Sequence, residues 1–441
     1  MRDNGPDREW NAGALLRFAF PSMCMMALMG LYTMTDTIFA ARFVNTDALS
    51  AVNIVCPVVN LTVGLGTMLA AGGNAIISRM LGAGEHQAAK EAFTEIVATG
   101  AALGVLLMLC GTVWLEPLIT VLGGGGLLFP YCMAYLRVLL LFVPANILQT
   151  MFANLFATAG KPGLAFGLSV LSGAANIVLD YLFIVTFGMG IRGAALGTGI
   201  GCLIPAAAGL VWFSRRGGRL FFVRFRWRRH VVTECCFNGS SEMVGQLAAA
   251  VTTYLFNRVM LEFAGVDGVT AVTILIYSQF LLNTLFVGYA IGSAPVIGFL
   301  YGNGNRFALR KVCAVSIRFI LTVSLFVFLL ALFGGPLAVR LFAAAESDVC
   351  RLASEGFSFF SYSFLFCGLN IFTSAMFTAL SNGRVSAVLS FLRTFGLLAG
   401  GILVLPRVCG LTGVFLAVPA AEGTMFVVSI FCLLGYRKRY F

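Results

Sequence analysis

Two polar residues lie in a stretch of the chain that is otherwise strongly apolar, residues 163–187. They are Asn176 and Asp180, in the sequence NIVLDYLF. Residues four apart lie on the same face of a helix, so both side chains would point the same way. A charged side chain at the centre of a membrane costs about 3 kcal/mol or more. An aspartate here therefore predicts a function, and its chemistry supports the binding of a proton or a cation.

Two further polar residues fall at a similar depth on other predicted helices. Asp36 lies near the end of the first apolar segment, and Thr198 lies near the start of the sixth. Asp36 and Asp180 are each roughly 27 Å along their helices, and Thr198 is roughly 9 Å from the opposite entry. A carboxyl group in a low-dielectric pocket holds its proton more tightly, and a second carboxylate strengthens this hold. These residues predict one buried site for H⁺ or Na⁺; alternatively, both aspartates reach water at the outer interface.

The composition of the chain requires a membrane. Of the 441 residues, 59% are hydrophobic and 11% are charged, whereas soluble domains carry about 25% charged residues. One buried core cannot absorb so much apolar sequence, so most of the chain must face lipid. The polar first 13 residues are expected to remain as a cytoplasmic lead-in. The net charge of +11 comes largely from arginines in short loops, which favours contact with lipid headgroups over nucleic acid.

The cysteines and histidines do not predict a metal site or a cofactor. Most of the 12 cysteines lie in apolar runs, the sequence has no CxxC pair, and His86 and His230 lie in predicted loops. Cysteine in apolar runs acts as a small hydrophobic residue. We therefore expect neither a metal nor a cofactor. A membrane-embedded enzyme is disfavoured because the sequence contains neither HExxH nor GxSxG.

The apolar segments predict an all-α integral membrane protein with about twelve transmembrane helices, since one span needs about 20 apolar residues. The predicted spans are residues 14–40, 48–77, 91–114, 128–150, 163–187, 191–213, 235–262, 268–298, 312–334, 353–378, 385–406 and 411–435. Lysine and arginine concentrate in the loops on one side, which is typical of the cytoplasmic side. We therefore expect a multi-pass protein of the inner (plasma) membrane with both termini in the cytoplasm.

An internal repeat divides the chain. Gly82 matches Gly302 and Gly190 matches Gly410, in both cases at a shift of 220 positions. Six spans in each half preserve orientation, so the halves are predicted to be parallel repeats about an axis along the membrane normal. Carriers with this architecture bind their substrates between two bundles. The predicted units are a six-helix bundle at 1–213, a basic cytoplasmic linker at 214–234 and a second six-helix bundle at 235–441.

The acids of the first half are not repeated in the second, where the matched positions hold Phe256 and Gly400. The second half has its own polar residues within predicted spans. They are Glu242, Asn370 and Glu422, and each could equally be a structural polar group with satisfied hydrogen bonds. Glu422 could pair with Arg393. In the first half, Pro21 lacks a helical hydrogen bond and predicts a bend, which could be static or could couple protonation to the cavity.

Several segments of the chain, over essentially its full length, resemble the multidrug and toxin extrusion (MATE) family, in its prokaryotic DinF-like and Mep-like branches. They are FPSMCMMALMGLYTMTDTIFAARF, ISRMLGAGEHQAAKEA, FATAGKP, NIVLDYLFIVTFGMGIRGAALGTGIG, GSSEMVGQLAA and SAPVIGFLYGNGN. The resemblance implies two six-helix bundles that open alternately to either side. It places the family's first-span proline and aspartate at Pro21 and Asp36 and its fifth-span Asn and Asp at Asn176 and Asp180. It also places the sixth-span threonine at Thr198 and the seventh-span glutamate at Glu242. Asn370 stands where sodium-coupled members often carry an aspartate, which favours the first-half site.

The resemblance implies a secondary active multidrug efflux transporter that exchanges lipophilic organic cations for H⁺, with Na⁺ as the alternative coupling ion. Phe and Met side chains make walls that suit such cations. A lipid-linked oligosaccharide flippase of the same superfamily is the alternative. It would need cavity cations for a pyrophosphate, and the arginines well inside predicted spans are Arg137, Arg258, Arg318 and Arg393. We expect a monomer that contacts membrane lipids and binds no nucleic acid.

Overall fold

The computed structural model describes residues 10–39, 46–342 and 347–440, with the side chains of 33–39, 46–49, 266, 336, 338, 341 and 342 left undescribed. In these ranges the protein is mostly helical and has no strand. The helices are α1 Ala12–Phe39, α2 Thr46–Gly82, α3 His86–Val113, α4 Leu115–Val121, α5 Phe129–Leu141, α6 Val143–Thr158, α7 Pro162–Asp180, α8 Ile191–Ser214, α9 Arg229–Gly302, α10 Arg306–Phe342, α11 Asp348–Ser361, α12 Phe364–Ala379, α13 Gly383–Phe391, α14 Gly400–Cys409 and α15 Leu411–Tyr440. Two π-helical segments, Tyr181–Thr186 and Leu392–Ala399, follow α7 and α13.

The number of spans is close to the predicted twelve. In the described part of the chain, nine helices are long and apolar enough to cross a membrane. Two bent helix pairs, α5 with α6 and α11 with α12, each turn by 55° and raise the number to eleven. The predicted span 235–262 is helical but too polar to count by length and composition, because Glu242, Asn257 and Glu262 interrupt its apolar residues.

The longest helix, α9, joins two predicted spans. It contains 74 residues, and its helical geometry is broken only at Gly265, where φ is 61° and ψ is −151°. A positive φ of this kind costs glycine little because glycine has no Cβ atom. An unbroken helix of this length would measure roughly 110 Å, several times the thickness of a membrane. The break at Gly265 therefore separates the seventh and eighth predicted spans.

The repeat found in the sequence is visible as contacts between matched positions. A Cβ atom added to Gly82 of α2 would collide with the carbonyl oxygen of Phe299, and one added to Gly302 of α9 would collide with the carbonyl oxygen of Arg79. At the shift of 220, Gly82 corresponds to Gly302 and Arg79 corresponds to Phe299, so the two contacts are equivalent. Residues near a two-fold axis are expected to make such pairs of equivalent contacts. The prediction of two parallel repeats is therefore confirmed.

Two buried hydrophobic clusters correspond roughly to the halves of the chain. The first runs mainly from Met25 to Cys235, and the second gathers residues from Phe256 to Tyr440. The start of α1 is an exception, because Trp10 and Phe18 belong to the second cluster. Helix α1 continues through Pro21 without interruption. Just beyond Pro21 it crosses α9, where a Cβ atom added to Gly288 would lie 2.5 Å from Met23 Cα.

The segment between α8 and α9, residues 215–228, is irregular and lies against α3. The backbone N–H of Arg228 donates to Glu95 Oε1 at 2.7 Å, and the Arg228 guanidinium pairs with Glu91. The N–H of Val223 donates to Thr94 Oγ1 at 3.1 Å. We call the side of the molecule on which this segment lies the linker end. The segment is anchored to the first bundle although it leads into the second.

Candidate functional site

Asp180 and Asn176 are both buried in the first bundle, with 2% and 3% of their surfaces exposed. Asp180 is the last residue of α7 and directly precedes the π-helical segment Tyr181–Thr186. Short π-helical segments occur frequently at functional sites, because the wider turn redirects side chains and backbone groups. The change in helix geometry therefore begins directly after Asp180, the residue that the sequence analysis singled out by its charge.

Glycines on α8 bring that helix close to the two polar residues. A Cβ atom added to Gly197 would collide with Asp180 Oδ1, and one added to Gly201 would lie 3.2 Å from Asn176 Cβ. Between the same helices, the hydroxyl of Ser172 donates to the carbonyl oxygen of Gly201 at 2.6 Å. Small residues spaced by four are a common way for membrane helices to approach closely. As predicted, Asn176 and Asp180 share one helix face, and that face packs against α8.

Thr198 follows Gly197 on the helix that contacts Asp180. Its side chain is half-buried, and its hydroxyl donates to the carbonyl oxygen of Ala194 at 3.0 Å. The side chain of Asp36 lies outside the described part of the chain, so its predicted place in this site stays a prediction. One turn earlier on α1, Tyr32 lies beside α7, because a Cβ atom added to Gly173 would be 3.8 Å from Tyr32 Cβ.

The second bundle holds a different polar cluster. Arg393 in the π-helical segment Leu392–Ala399 pairs with Glu422 of α15, with Nη2 and Nε at 2.7 and 2.9 Å from Oε1. Asn370 of α12 donates to Glu422 Oε2 at 2.8 Å and accepts from Ser429 at 2.9 Å. Glu242 of α9 is half-buried and interacts electrostatically with Arg393. The suggested pair of Glu422 and Arg393 is therefore present, and the charge of Glu422 is compensated.

A chain of hydroxyl groups in the second bundle was missed by the sequence analysis. It links Ser241, Thr378, Ser386, Ser374 and Ser390, with successive oxygen–oxygen distances of 3.3, 2.7, 2.9 and 3.0 Å. Serine and threonine hydroxyls commonly connect packed membrane helices in this way. The only signal in the sequence was the four-residue spacing of Ser374 and Thr378 in α12 and of Ser386 and Ser390 in α13. This spacing does not predict that the two helices contact each other.

Metal ligands do not gather anywhere in the part of the chain that is described. No three His, Cys, Asp or Glu side chains there approach closely enough to hold a metal ion. The carboxylate of Asp180 and the oxygens of Asn176 and Thr198 are hard ligands of the kind that suit protons or alkali cations.

The close approach at Gly197 gives a prediction about the geometry of the site. We expect Gly197→Ala to reduce transport at least tenfold, because the added methyl group must displace the Asp180 carboxylate. The titratable group itself is kept. Gly167→Ala on α7 is the matched control, since nothing lies within 4 Å of its added Cβ atom and alanine favours a helix by a similar amount. The measurement is the transport rate of each variant in vesicles, normalised to the amount of folded protein. Equal rates for Gly197→Ala and Gly167→Ala would contradict the prediction.

Comparison with known proteins agrees with this architecture. A family model described as MatE matches residues 21–182 and 243–399. A relative named Multidrug export protein MepA, from Staphylococcus aureus strain MSSA476, is 23% identical over 432 residues, covering 97% of this chain and 94% of the relative. A second relative of the same name, from Staphylococcus haemolyticus strain JCSC1435, is 23% identical over 437 residues, with the same coverage of 97% and 94%.

Solved structures show the same fold. One is the outward-facing conformation of a multidrug resistance MATE family transporter of the MOP superfamily, with a TM-score of 0.91, 22% identity and coverage of 98% of this chain and 96% of that one. Another is a MOP superfamily transporter from Pyrococcus furiosus, described as having a binding pocket of reverse polarity that suggests a different function. Its TM-score is 0.90, with 22% identity and coverage of 99% of both chains. At such identity, the likeness establishes the fold.

Proposed function

This chain belongs to the MatE family of transporters, and we propose that it exports lipophilic organic cations in exchange for protons. The exchange would use alternating access to a cavity between its two bundles. Membership of a transporter family excludes the membrane-embedded enzyme considered from the sequence. The observation that carries the proposal is the buried Asp180, held against α8 in the first bundle. Two relatives named as multidrug export proteins support the substrate class.

The first bundle combines the buried carboxylate of Asp180 with many aromatic and methionine side chains. Phe142 packs on α8 at Gly199, on the side of the helix opposite Gly197 and Asp180. Met25 and Met151 are buried in the same bundle, and Met26 and Met29 pack against its core. Aromatic faces attract cations, and methionine adapts to ligands of different shape. We infer that the negative charge of Asp180 favours cations over anions, and that the apolar composition of the bundle favours lipophilic ones.

The second-bundle cluster supports H⁺ over Na⁺ as the coupling ion. Na⁺ would need several oxygen ligands, and the acid of that cluster, Glu422, is already held by Arg393 and Asn370. Its guanidinium partner would repel a second cation at the same place. The first-bundle site then carries the exchange, with Asp36, Asn176, Asp180 and Thr198 as its groups.

The experiment that tests the proposal uses purified protein in liposomes. We expect uptake of a fluorescent lipophilic cation when a pH gradient is imposed, and no uptake when the gradient is collapsed with a protonophore. Liposomes without protein give the background. Absence of gradient-driven uptake by folded protein would overturn the proposal.

The choice of coupling ion gives a separate prediction. With pH clamped on both sides and a sodium gradient as the only driving force, we expect cation transport close to the background. The reason is that a carboxylate in a low-dielectric pocket is readily neutralised by a proton, whereas Na⁺ would need several oxygen ligands to replace its water. A rate under sodium alone that equals the rate under the proton gradient would reverse the assignment.

Topology gives another prediction. We propose that both termini and residues 214–230 face the cytoplasm, because the cations concentrate on that side. Arg224 is exposed, so in a background with the exposed Cys56 and Cys409 replaced by serine, an Arg224→Cys variant should react with a membrane-impermeant thiol reagent in inside-out vesicles but not in intact cells. A variant with cysteine at Val408, an exposed position at the other end of α14, should show the opposite pattern. Labelling of Arg224→Cys in intact cells would refute the orientation.

A flippase is less well supported by the arrangement of the arginines. Arg393 is paired with Glu422, and Arg258 lies 3.9 Å from Glu262. A pyrophosphate would require cations whose charge is still available. Arg393 is thus compensated, whereas the contact of Arg258 with Glu262 is exposed to solvent. Arg137 and Arg318 lie on different helices, α5 and α10.

A further inference from the structure

A cavity of about 220 Å³ lies at the linker end of the second bundle. It forms where α9 ends, α10 begins and the last turn of α15 returns to them. Its walls include Tyr301, Arg306, Leu309, Arg439 and Tyr440. The cavity is separate from the site around Asp180, which belongs to the first bundle.

The cavity carries uncompensated positive charge. Neither Arg306 nor Arg439 forms an ion pair with any other described residue, and the Arg439 guanidinium lies 5.6 Å from the centre of the Tyr440 ring. Arg306 is the first residue of the 37-residue helix α10, so the positive end of the helix dipole adds to its charge. Two arginines in one partly enclosed space are an arrangement that binds phosphate oxygens.

The last turn of α15 is held in place, so the cavity is preformed. Tyr440 is 5% exposed, and its hydroxyl accepts a hydrogen bond from Asn382 Nδ2 at 2.9 Å. Its ring packs against Tyr301, with centroids 5.7 Å apart, and against Tyr436 at 6.1 Å. Burial raises the pKa of the Tyr440 hydroxyl, so this group stays neutral at physiological pH. Anchoring at Tyr440 fixes the position of the neighbouring Arg439.

The cavity lies where apolar helix surface meets polar sequence. The apolar span of α15 ends at Gly435, four residues before Arg439, and the apolar span of α10 begins at Arg306 itself. Phe307 is 81% exposed and Phe431 is 70% exposed. Phe431, Gly435 and Arg439 are spaced by four and share one face of α15. This face therefore offers an apolar surface directly adjoining the charged cavity.

The matched region of the first half is built differently. At the shift of 220, Arg439 corresponds to Arg219, but Arg306 corresponds to His86 and Tyr440 corresponds to Leu220. Leu220 is fully buried, and the ring of Phe222 stacks on Phe93 at 5.3 Å. The two-arginine cavity is therefore a feature of the second half and does not follow from the repeat.

We propose that this cavity binds the phosphate headgroup of an anionic phospholipid. Arg306 and Arg439 hold the phosphate, and Phe307 and Phe431 contact the acyl chains. A free phosphate would contact the arginines alone. The adjoining exposed aromatic residues favour a lipid, because they would contact its acyl chains. Anionic lipids are concentrated at the cytoplasmic face, where the positive loops of membrane proteins also lie. The bound lipid would fix α15 against α9 and α10, and this binding does not depend on the proposed transport activity.

Lipid titration of the purified protein tests the site. We expect phosphatidylglycerol to raise the melting temperature in detergent and to be retained in native mass spectrometry, whereas phosphatidylcholine should do neither. Arg306→Gln and Arg439→Gln should each weaken phosphatidylglycerol binding about tenfold, which corresponds to about 1.4 kcal/mol. Arg437→Gln is the matched control, because it removes the same charge from the same helix turn but Arg437 does not line the cavity. Unchanged melting temperatures without lipid would establish that the variants fold.

Two outcomes would overturn the proposal. If Arg437→Gln weakened binding as much as Arg439→Gln, the lipid would be attracted by general charge, without a defined site. If inorganic phosphate competed with phosphatidylglycerol at equal concentration, the cavity would be a site for a soluble anion. Competition only at concentrations at least a hundredfold higher is the result expected for a lipid site.

Discussion

Asp180→Asn should abolish proton-driven export of ethidium-like cations while the protein is still produced and folded at near-normal levels. The substitution keeps the size and shape of the side chain next to Gly197, so the packing of α7 on α8 is retained. It removes the only change of charge that this position can undergo. Because the variant has no buried charge to accommodate, its stability should be equal or slightly higher.

The expected loss follows from the proposed cycle. When the cavity faces outward, Asp180 takes up a proton, loses its attraction for the cationic substrate and allows the cavity to close. When the cavity faces inward, the proton leaves to the cytoplasm and the carboxylate can bind the next cation. Asn176 on the same helix face and Asp36 on α1 adjust the proton affinity by hydrogen bonding and like-charge repulsion. An amide at position 180 can take no part in either step.

Three further variants make the test specific. Asp36→Asn should resemble Asp180→Asn, and the double variant should be little worse than either single one, since groups that act as a unit are not additive. Glu422→Gln should reduce transport less, because Glu422 is held in an ion pair with Arg393. It should instead lower thermal stability, because it leaves Arg393 without its charged partner. Normal export by Asp180→Asn cells under a proton gradient would make Asp180 a structural polar group only.

The features that were predictable from the sequence are those that depend on neighbouring residues or on the repeat. The lengths of the apolar segments predicted a helical membrane fold. The four-residue spacing of Asn176 and Asp180 predicted that they share one helix face. The shift of 220 predicted two repeats with Gly82 matched to Gly302, and the structure adds that these two positions make equivalent contacts between α2 and α9. Each of these follows from helix geometry and hydropathy alone.

Other features depend on tertiary contacts between distant segments. The pair of Arg393 and Glu422 could be suggested from the sequence but not established, because the two residues are 29 positions apart and meet where α15 packs beside the π-helical segment. The hydroxyl chain joins Ser241 to residues more than 130 positions later, on two other helices. The polar character of residues 235–262 weakened the apolar signal of that segment. No local pattern in the sequence carries this information.

Gly302→Ala should prevent the two bundles from closing at the linker end. Gly302 of α9 and Gly82 of α2 lie where the two bundles touch, and a methyl group on either would collide with a backbone carbonyl oxygen of the other helix. A backbone atom cannot move aside as a side chain can, so the helices must separate. Overpacking of this kind costs about 1–3 kcal/mol, and about 1.4 kcal/mol shifts an equilibrium tenfold.

Because the contact joins the bundles, its loss should shift the protein away from the state closed at the linker end and slow transport at least tenfold. His86 and Phe307 are exposed residues at the starts of α3 and α10. With the exposed Cys56 and Cys409 replaced by serine, spin labels on His86→Cys and Phe307→Cys report the separation of the bundles. We expect Gly302→Ala to lengthen the distance between them. Gly435→Ala is the control, since its added Cβ atom has no neighbour within 4 Å. If Gly302→Ala leaves both the distance and the transport rate unchanged, this crossing is a fixed contact, and the bundles must move about another one.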